Sequence, residues 1–505
     1  MEQSAWSMLP PIITIVLALL TKEVYMSLII GIFCGAMLYT GGSLVESILT
    51  MFAVMEDKVG GNVNILVFLA ILGILVAAIT KSGATRAYGE WAASVISGKR
   101  SALGLTALLG IVIFIDDYFN CLTVGTVMRP VTDKFKIARA KLAYVIDATA
   151  APICIIAPVS SWAAAVGSSL PEDSTVDGFT IFLQTIPFNL YAWLTMAFMI
   201  FIIVSGRDFA TMGSNVRKNN EHFEIPAEYG DSGEEEQKIS GNGKIIDLML
   251  PLIVLIGACI YGMLYTGGIH DEGVTIAAAF ADCDSSKGLV FGSFTAFVFT
   301  GLLYLPRKVI TFDEFCGSFT QGFKAMVPAI FILCLAWSLS GICSDKYLNL
   351  GGYVGAVVSE HTSVMMFLPV IFFLVAIGLA FATGTSWGTF GILIPIAMAI
   401  LDATNTEVYP MLVLCVAAIL SGAVGGDHAS PISDTTILAS AGAQCHHLDH
   451  VATQVPYVIV VSMCCILGYI VDGLTQNGWA GLAAGFAALF VAMFIIRAKV
   501  DTVDN

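Results

Sequence analysis

The chain has 505 residues, 57% of them hydrophobic and only 12% charged, and its mean hydropathy of +0.85 lies far outside the soluble globular range. The formal net charge of -15 does not mark a basic partner, because the acids gather in connecting segments such as Glu228 to Lys238, which read as solvated loop. With no basic block and no basic stripe interleaved with aromatics, nucleic acid is excluded as a partner. What remains is a polytopic all-α protein whose main solvent is the lipid bilayer.

The start, MEQSAWSMLPP, lacks the positive n-region of a cleavable signal, so the first apolar run is expected to stay in the mature protein. About 20 apolar residues span the hydrocarbon as helix. That length marks simple crossings at 8–21, 23–40, 63–80, 180–204, 245–266, 287–305, 325–343, 453–471 and 478–496. Segments 102–134 and 367–402 are too long for one crossing and are interrupted midway by IDDYFN and TGTSWG. Segments 141–170 and 409–442 break around ATAAP and GGDHASP. The 12 cysteines are scattered, many within apolar runs, and read as small packed hydrophobes.

Short cytoplasmic loops carry the excess of Lys and Arg. Lys81, Arg86, Lys99 and Arg100 precede the first interrupted region and Lys134, Lys136, Arg139 and Lys141 follow it. Both flanks are therefore assigned inside, which makes 102–134 a re-entrant hairpin with its tip at Asp116 to Asn120. Continuing the count makes 367–402 a second hairpin, entering from the opposite face, with its tip at Gly384 to Gly388. The N-terminus falls outside and the C-terminus, with Arg497 and Lys499, in the cytoplasm.

The plan that emerges is two inverted repeats with about 11 spans, two opposed hairpins and two broken helices. The first repeat covers 1–204, a hydrophilic cytoplasmic loop 205–244, the second repeat 245–471, and an extra C-terminal helix and tail 472–505. The similarity of PPIITIVLALL to PLIVLIGACI, and of IAPVSS to HASPISD, supports the internal repeat.

Backbone that leaves helical geometry at membrane depth is tolerated where it is buried in protein or lines a cavity, and inverted-repeat transporters gather such breaks into a midplane site. Four polar stretches qualify here. The first tip offers Asp116, Asp117 and Asn120, one of the two acids being a natural cap for the following helix. The first broken span offers Asp147, Thr149 and Ser160, with Ser161 expected to bond back to its own backbone. At the second tip lie Thr383, Gly384, Thr385, Ser386 and Trp387, the hydroxyls suiting an alkali cation and the tryptophan suiting packing. The stretch SGAVGGDHASPISDTT adds Asp427, His428, Ser430, Ser433, Asp434 and Thr435, where His428 has the chemistry of a proton shuttle. Adjacent acids in lipid rarely stay ionised together without a cation, which suits them to exchange of sodium and protons.

HHLDH at His446 to His450 has i, i+4 spacing but no further ligand partner, and reads as a polar turn in a loop rather than a metal centre. Arg129 sits near the end of its hairpin arm and reads as snorkelling to the interface. No nucleotide-binding loop is present, so the energy source is expected to be an ion gradient.

Taken together, GDHASPISDTT, FIDDYFN, the DATAAP run and GTSWG resemble the signature set of the NhaC-type sodium/proton antiporter family, in the expected order and over nearly the whole chain. The resemblance implies the ion-transporter superfamily: opposed re-entrant hairpins, a scaffold that dimerises, and a transport domain that moves as an elevator. It also implies no enzyme activity and no cofactor beyond Na+ and H+ as transported ions, with Na+ at a subset of Asp116, Asp117, Asp147 and Asp434, in the cell (inner) membrane. Three function classes stay open: sodium/proton antiport; sodium-coupled transport of a small organic acid (malate- or lactate-like) or an amino acid; and a channel or structural membrane protein, which two hairpins facing opposite sides, as machinery for alternating access, disfavour.

Overall fold

The computed structural model describes residues 4–21, 23–169, 178–221, 241–281, 283–344, 346–350, 353, 365–401, 409–500 and 502. Within them the chain is helical throughout, with no strand. In order the helices are α1 (Leu9–Thr21), α2 (Val24–Tyr39), α3 (Leu44–Gly61), α4 (Val63–Ser82), α5 (Ala84–Val95), α6 (Lys99–Val112), α7 (Asp117–Lys134) and α8 (Arg139–Thr149). Then come α9 (Ala151–Cys154), α10 (Ser161–Ser168), α11 (Gly178–Thr185), α12 (Leu190–Ser205), α13 (Ala210–Glu221), α14 (Ile245–Thr266), α15 (Ile276–Ala281) and α16 (Ser285–Tyr304). The rest are α17 (Phe312–Cys343), α18 (Leu368–Thr383), α19 (Ser386–Ile400), α20 (Tyr409–Ala429), α21 (Asp434–Ala443), α22 (His447–Thr475) and α23 (Gly478–Lys499).

Among the described residues seven helices are long and apolar enough to cross a membrane, or nine if two bent pairs each count as one span. One bent pair is α2 with α3, turned by 119°. Helix α3 was not among the expected spans: its sequence carries Glu46, Glu56, Asp57 and Lys58, which lower its hydropathy, yet Ser47 and Val54 are buried.

The four interruptions lie at 113–116, 150–160, 384–385 and 430–433. The two tips are shorter than the sequence suggested, because Asp117, Asn120, Ser386, Trp387 and Gly388 already belong to the first turns of α7 and α19, whereas the break at 150–160 runs beyond ATAAP and contains only the short α9. The stretch around GGDHASP differs most, since Gly422 to Ala429 continue α20 and only Ser430 to Ser433 leave the helix. The glycines there are contact points. A Cβ on Gly422 would lie 2.5 Å from the Phe373 carbonyl oxygen and one on Gly426 2.3 Å from that of Ile377, so α20 packs backbone to backbone on α18 as small-residue faces permit.

Two further expectations are corrected. Arg139 and Lys141 are buried rather than loop charges: Arg139 forks onto both oxygens of Asp133 at 2.7 Å and donates to the Ala443 carbonyl, while Lys141 pairs with Asp208 at 2.7 Å. The beginning of the hydrophilic loop 205–244 forms α13, docked by buried Met212 and Val216, whereas residues 222–240 lie outside those described.

Candidate functional site

The four interruptions meet. Asp116 ends the first connection as the N-cap of α7, its Oδ1 accepting from the Phe119 N–H at 3.0 Å, as a short acid before a helix should. Asn120, one turn on, closes the same connection by donating its amide to the carbonyls of Gly110, Ile113 and Thr149 at 2.7, 2.9 and 3.0 Å. That last bond ties the first tip to the first broken helix, and the Ser161 N–H donating to the Ile115 carbonyl at 2.8 Å ties it again beyond the break.

On the opposite side, Gly384 takes a left-handed φ of +68°, where a side chain would be strained; a Cβ there would also lie 2.3 Å from the Ile432 carbonyl oxygen. The Gly384 carbonyl accepts from the Asp434 N–H at 3.3 Å. Thr385 caps α19 through the Gly388 N–H and Ser433 caps α21 through the Thr436 N–H. The second tip and the second break are thus seated directly on each other.

Contacts across the two halves complete the site. Thr436 donates to Asp147 Oδ2 at 3.0 Å, and Tyr118 donates to Asp434 Oδ2 at 3.5 Å. Trp162, in the first turn of α10, meets Trp387, in the first turn of α19, edge to face at 5.9 Å between ring centroids, with Phe390 against both.

Five carboxylates face this region. Asp116, Asp117, Asp147 and Asp427 are at most 2% exposed, while Asp434 is open to the surroundings. Thr435 donates to Asp427 Oδ2 at 2.9 Å, and Gln454 donates to Asp147 Oδ2 at 2.7 Å. Yet Asp116 Oδ2, Asp117 Oδ2, Asp147 Oδ1 and Asp427 Oδ1 are buried without a hydrogen bond. Among the described residues none of the five pairs with a Lys or Arg; His428 and His450 each lie 3.9 Å from a carboxylate oxygen of Asp147. Burying an ionised acid without a partner costs several kcal/mol, roughly, so such oxygens demand a proton or a cation. The chemistry of the donor set is all hard oxygen, which suits an alkali cation or H+.

The remaining predicted residues sit at this convergence with their hydroxyl protons engaged locally: Thr149 on Val145 and Ile146, Ser160 on Cys154 and Ala157, Thr383 on Leu379, Ser386 on Ala423, and Ser430 on Phe381. Ser160 and Ser430 also accept from the Ala163 and Ile432 N–H groups, which leaves Thr149, Thr383 and Ser386 with oxygens free to accept. Ser161 differs from expectation, since its buried hydroxyl makes no bond back to its own helix and lies beside the Asp116 carboxylate instead. Trp387 packs against Trp162 and Phe390 with its indole N–H buried and without a hydrogen bond, whereas the Trp162 indole lies beside the Asp117 carboxylate.

Several neighbours escaped sequence reasoning because they are neutral polar residues in otherwise apolar helices. Gln454 donates both to Asp147 and to the His428 carbonyl, 2.9 Å away. Tyr191 holds His428 Nδ1 at 3.1 Å, turning Nε2 toward Asp147. The HHLDH cluster is a correction: it opens α22, with His450 wholly buried against Gln454, because α22 extends beyond the apolar run at 453–471. Among the described residues no group of three His, Cys, Asp or Glu could hold a metal ion as a cluster.

Residues 164–474 match the Na+/H+ antiporter family. Over nearly its full length the chain is similar to an uncharacterized protein of Haemophilus influenzae, 39% identical over 518 residues, 99% of this chain and 96% of that one. Shorter similarities link it to the arginine/ornithine antiporter ArcD of Halobacterium salinarum, 31% identical over 38% of this chain and 37% of that one. The malate-2H(+)/Na(+)-lactate antiporter of Bacillus subtilis is 29% identical over 35% of this chain and 37% of that one. In fold, the solved YdaH transporter of Alcanivorax borkumensis superposes with a TM-score of 0.59 at 13% identity, covering 86% of this chain and 90% of that one. With the apolar helices and the converging breaks already described, these matches place the chain in the Na+/H+ antiporter family, as a multi-pass membrane protein and a secondary transporter.

Proposed function

We propose that this chain is a sodium-coupled secondary transporter that exchanges Na+ for H+ across the cell (inner) membrane. The observation that carries the reading is the set of five carboxylates at or beside three of the four interruptions, four of them with a buried oxygen that has no hydrogen bond and none with a Lys or Arg partner among the described residues. Sodium binds a subset of Asp116, Asp117, Asp147, Asp427 and Asp434, with Thr and Ser oxygens and freed backbone carbonyls completing its shell. Protons replace it on the same acids. In this reading the pairs α6–α7 and α18–α19 are opposed re-entrant hairpins of two inverted repeats, 1–204 and 245–471. About 11 spans cross the bilayer, with the N-terminus outside and the C-terminus cytoplasmic. The hairpins and broken helices move together as an elevator against a homodimeric scaffold.

A second reading has its own observation. The indole N–H of Trp387 is buried without a hydrogen bond, and would suit an oxygen of a small organic acid or amino acid moved with sodium. The names of the arginine/ornithine and malate/lactate relatives agree with that class of cargo. Purified protein in liposomes decides between the two. An imposed sodium gradient should drive proton flux with no organic solute present, and Asp147→Asn should abolish it; flux that requires added carboxylate or amino acid selects the second reading.

A further inference from the structure

The histidines at the start of α22 are joined to Asp147 by a chain of hydrogen bonds whose direction can be read by counting protons. The Gln454 amide nitrogen faces the His428 carbonyl at 2.9 Å and Asp147 Oδ2 at 2.7 Å. A carbonyl only accepts, so the nitrogen must lie on that side whatever the charge on Asp147, and Gln454 Oε1 therefore faces His450. His450 Nε2, 2.9 Å from that oxygen, must carry a hydrogen. His447 Nε2, 2.7 Å from the Pro431 carbonyl, must carry one too.

Both rings then turn their Nδ1 atoms to a single hydroxyl. Ser440 Oγ lies 3.1 Å from His447 Nδ1, 2.9 Å from His450 Nδ1 and 2.7 Å from the Thr436 carbonyl. With both imidazoles neutral, three acceptors compete for one hydroxyl hydrogen. Adding one proton to His447 Nδ1 removes the competition between the rings: His447 donates to Ser440, Ser440 to His450, His450 to Gln454, and Gln454 to Asp147. His450 is fully buried whereas His447 is half-buried, so His447 is the ring that solvent can reach.

We propose that His447, backed by Ser440, is a proton-binding site separate from the five carboxylates, and that its proton polarises a one-way donor chain ending on Asp147. Each donor in the chain is aligned with the next, and aligned hydrogen bonds reinforce one another. His447 also donates to Pro431 in the break between α20 and α21, so its charge is sensed at the unwound backbone itself. The titratable or charged groups around it are His446 and Asp449 on its own turn, Cys445 in the preceding turn, His450, and Arg139, whose guanidinium is already held by Asp133 and the Ala443 carbonyl.

The test is ring nitrogen-15 NMR of the whole protein in lipid nanodiscs, which reads tautomer and charge without reference to transport. In the wild type His450 should keep its proton on Nε2 throughout, and His447 should become doubly protonated as pH falls. Ser440→Ala, which removes the acceptor for the added proton, should lower the His447 midpoint by about one pH unit, roughly a tenfold weaker hold on the proton. Asp147→Asn should lower it by a smaller amount, since the chain then ends on a neutral group. A His450 ring protonated on Nδ1 alone, or a His447 midpoint unmoved by both substitutions, overturns the proposal. Because no sodium or proton flux is measured, failure of the exchange reading in liposomes leaves this result standing, and the reverse also holds.

Discussion

Asp147 combines zero exposure with one oxygen bonded to Thr436 and Gln454 and the other bonded to nothing. Asp147→Asn keeps an oxygen for those two donors and removes the charge, so the variant should fold with a melting temperature near the wild type while sodium-driven flux falls to background. Retained sodium affinity and rate would reassign Asp147 as a packing residue. Gln454→Leu has the opposite profile. It leaves Asp147 and the His428 carbonyl with lost donors in a buried setting, a destabilisation of about 1–3 kcal/mol, measurable as a lowered melting temperature in detergent. The two positions also differ in legibility. Asp147 stands out in sequence because a charge inside an apolar run is costly and has to have a reason. Gln454, Tyr191 and Trp162 do not, since a neutral polar or aromatic residue in a membrane helix costs little, and only the fold reveals that each faces an acid, a histidine or the other tip.

Helix boundaries were hidden for a related reason. Hydropathy finds the part of a helix that faces lipid, so α17 and α22 were expected only over their apolar cores, and α3, α5 and α13, which carry charges or are short, were not marked as elements at all. Glycine misled in the other direction, because glycines that weaken helices in water serve as contact points between helices in membranes. Gly422 and Gly426 lie four residues apart on α20 and meet the backbone of α18. Gly426→Val should force these helices apart and destabilise the protein by about 1–3 kcal/mol or more, whereas Gly378→Ala, where an added Cβ meets nothing within 4 Å, should be silent. Equal melting temperatures for the two variants would show that the α18–α20 contact does not set stability. What the sequence did reveal at this scale was the four interruptions, each marked by Gly, Pro or an acid within an apolar run. Their meeting point required tertiary contacts such as Asn120 with Thr149 and Gly384 with Asp434.

At the scale of the molecule, the site draws on both halves of the chain: Asp116, Asp117 and Asp147 come from the first, Asp427 and Asp434 from the second, and Thr436 reaches from one to the other. A cation bound there is held by both halves at once, so anything that loads the carboxylates with protons must weaken it. Under the exchange reading, lowering pH on the side where sodium binds should raise the sodium concentration for half-maximal flux without lowering the maximal rate, because an acid that binds sodium must first lose its proton. Linkage requires the reverse effect of equal size, so saturating sodium should release protons from the detergent-solubilised protein. Both can be measured on one preparation, the first as flux in liposomes and the second as acidification of a weakly buffered solution on addition of sodium but not of potassium. Asp427→Asn should reduce the number of protons released, and Tyr118→Phe, which removes the hydroxyl facing Asp434, should leave that number unchanged. If sodium binds without displacing any proton, the carboxylates are not shared between the two ions, and exchange at a common site is ruled out for this protein.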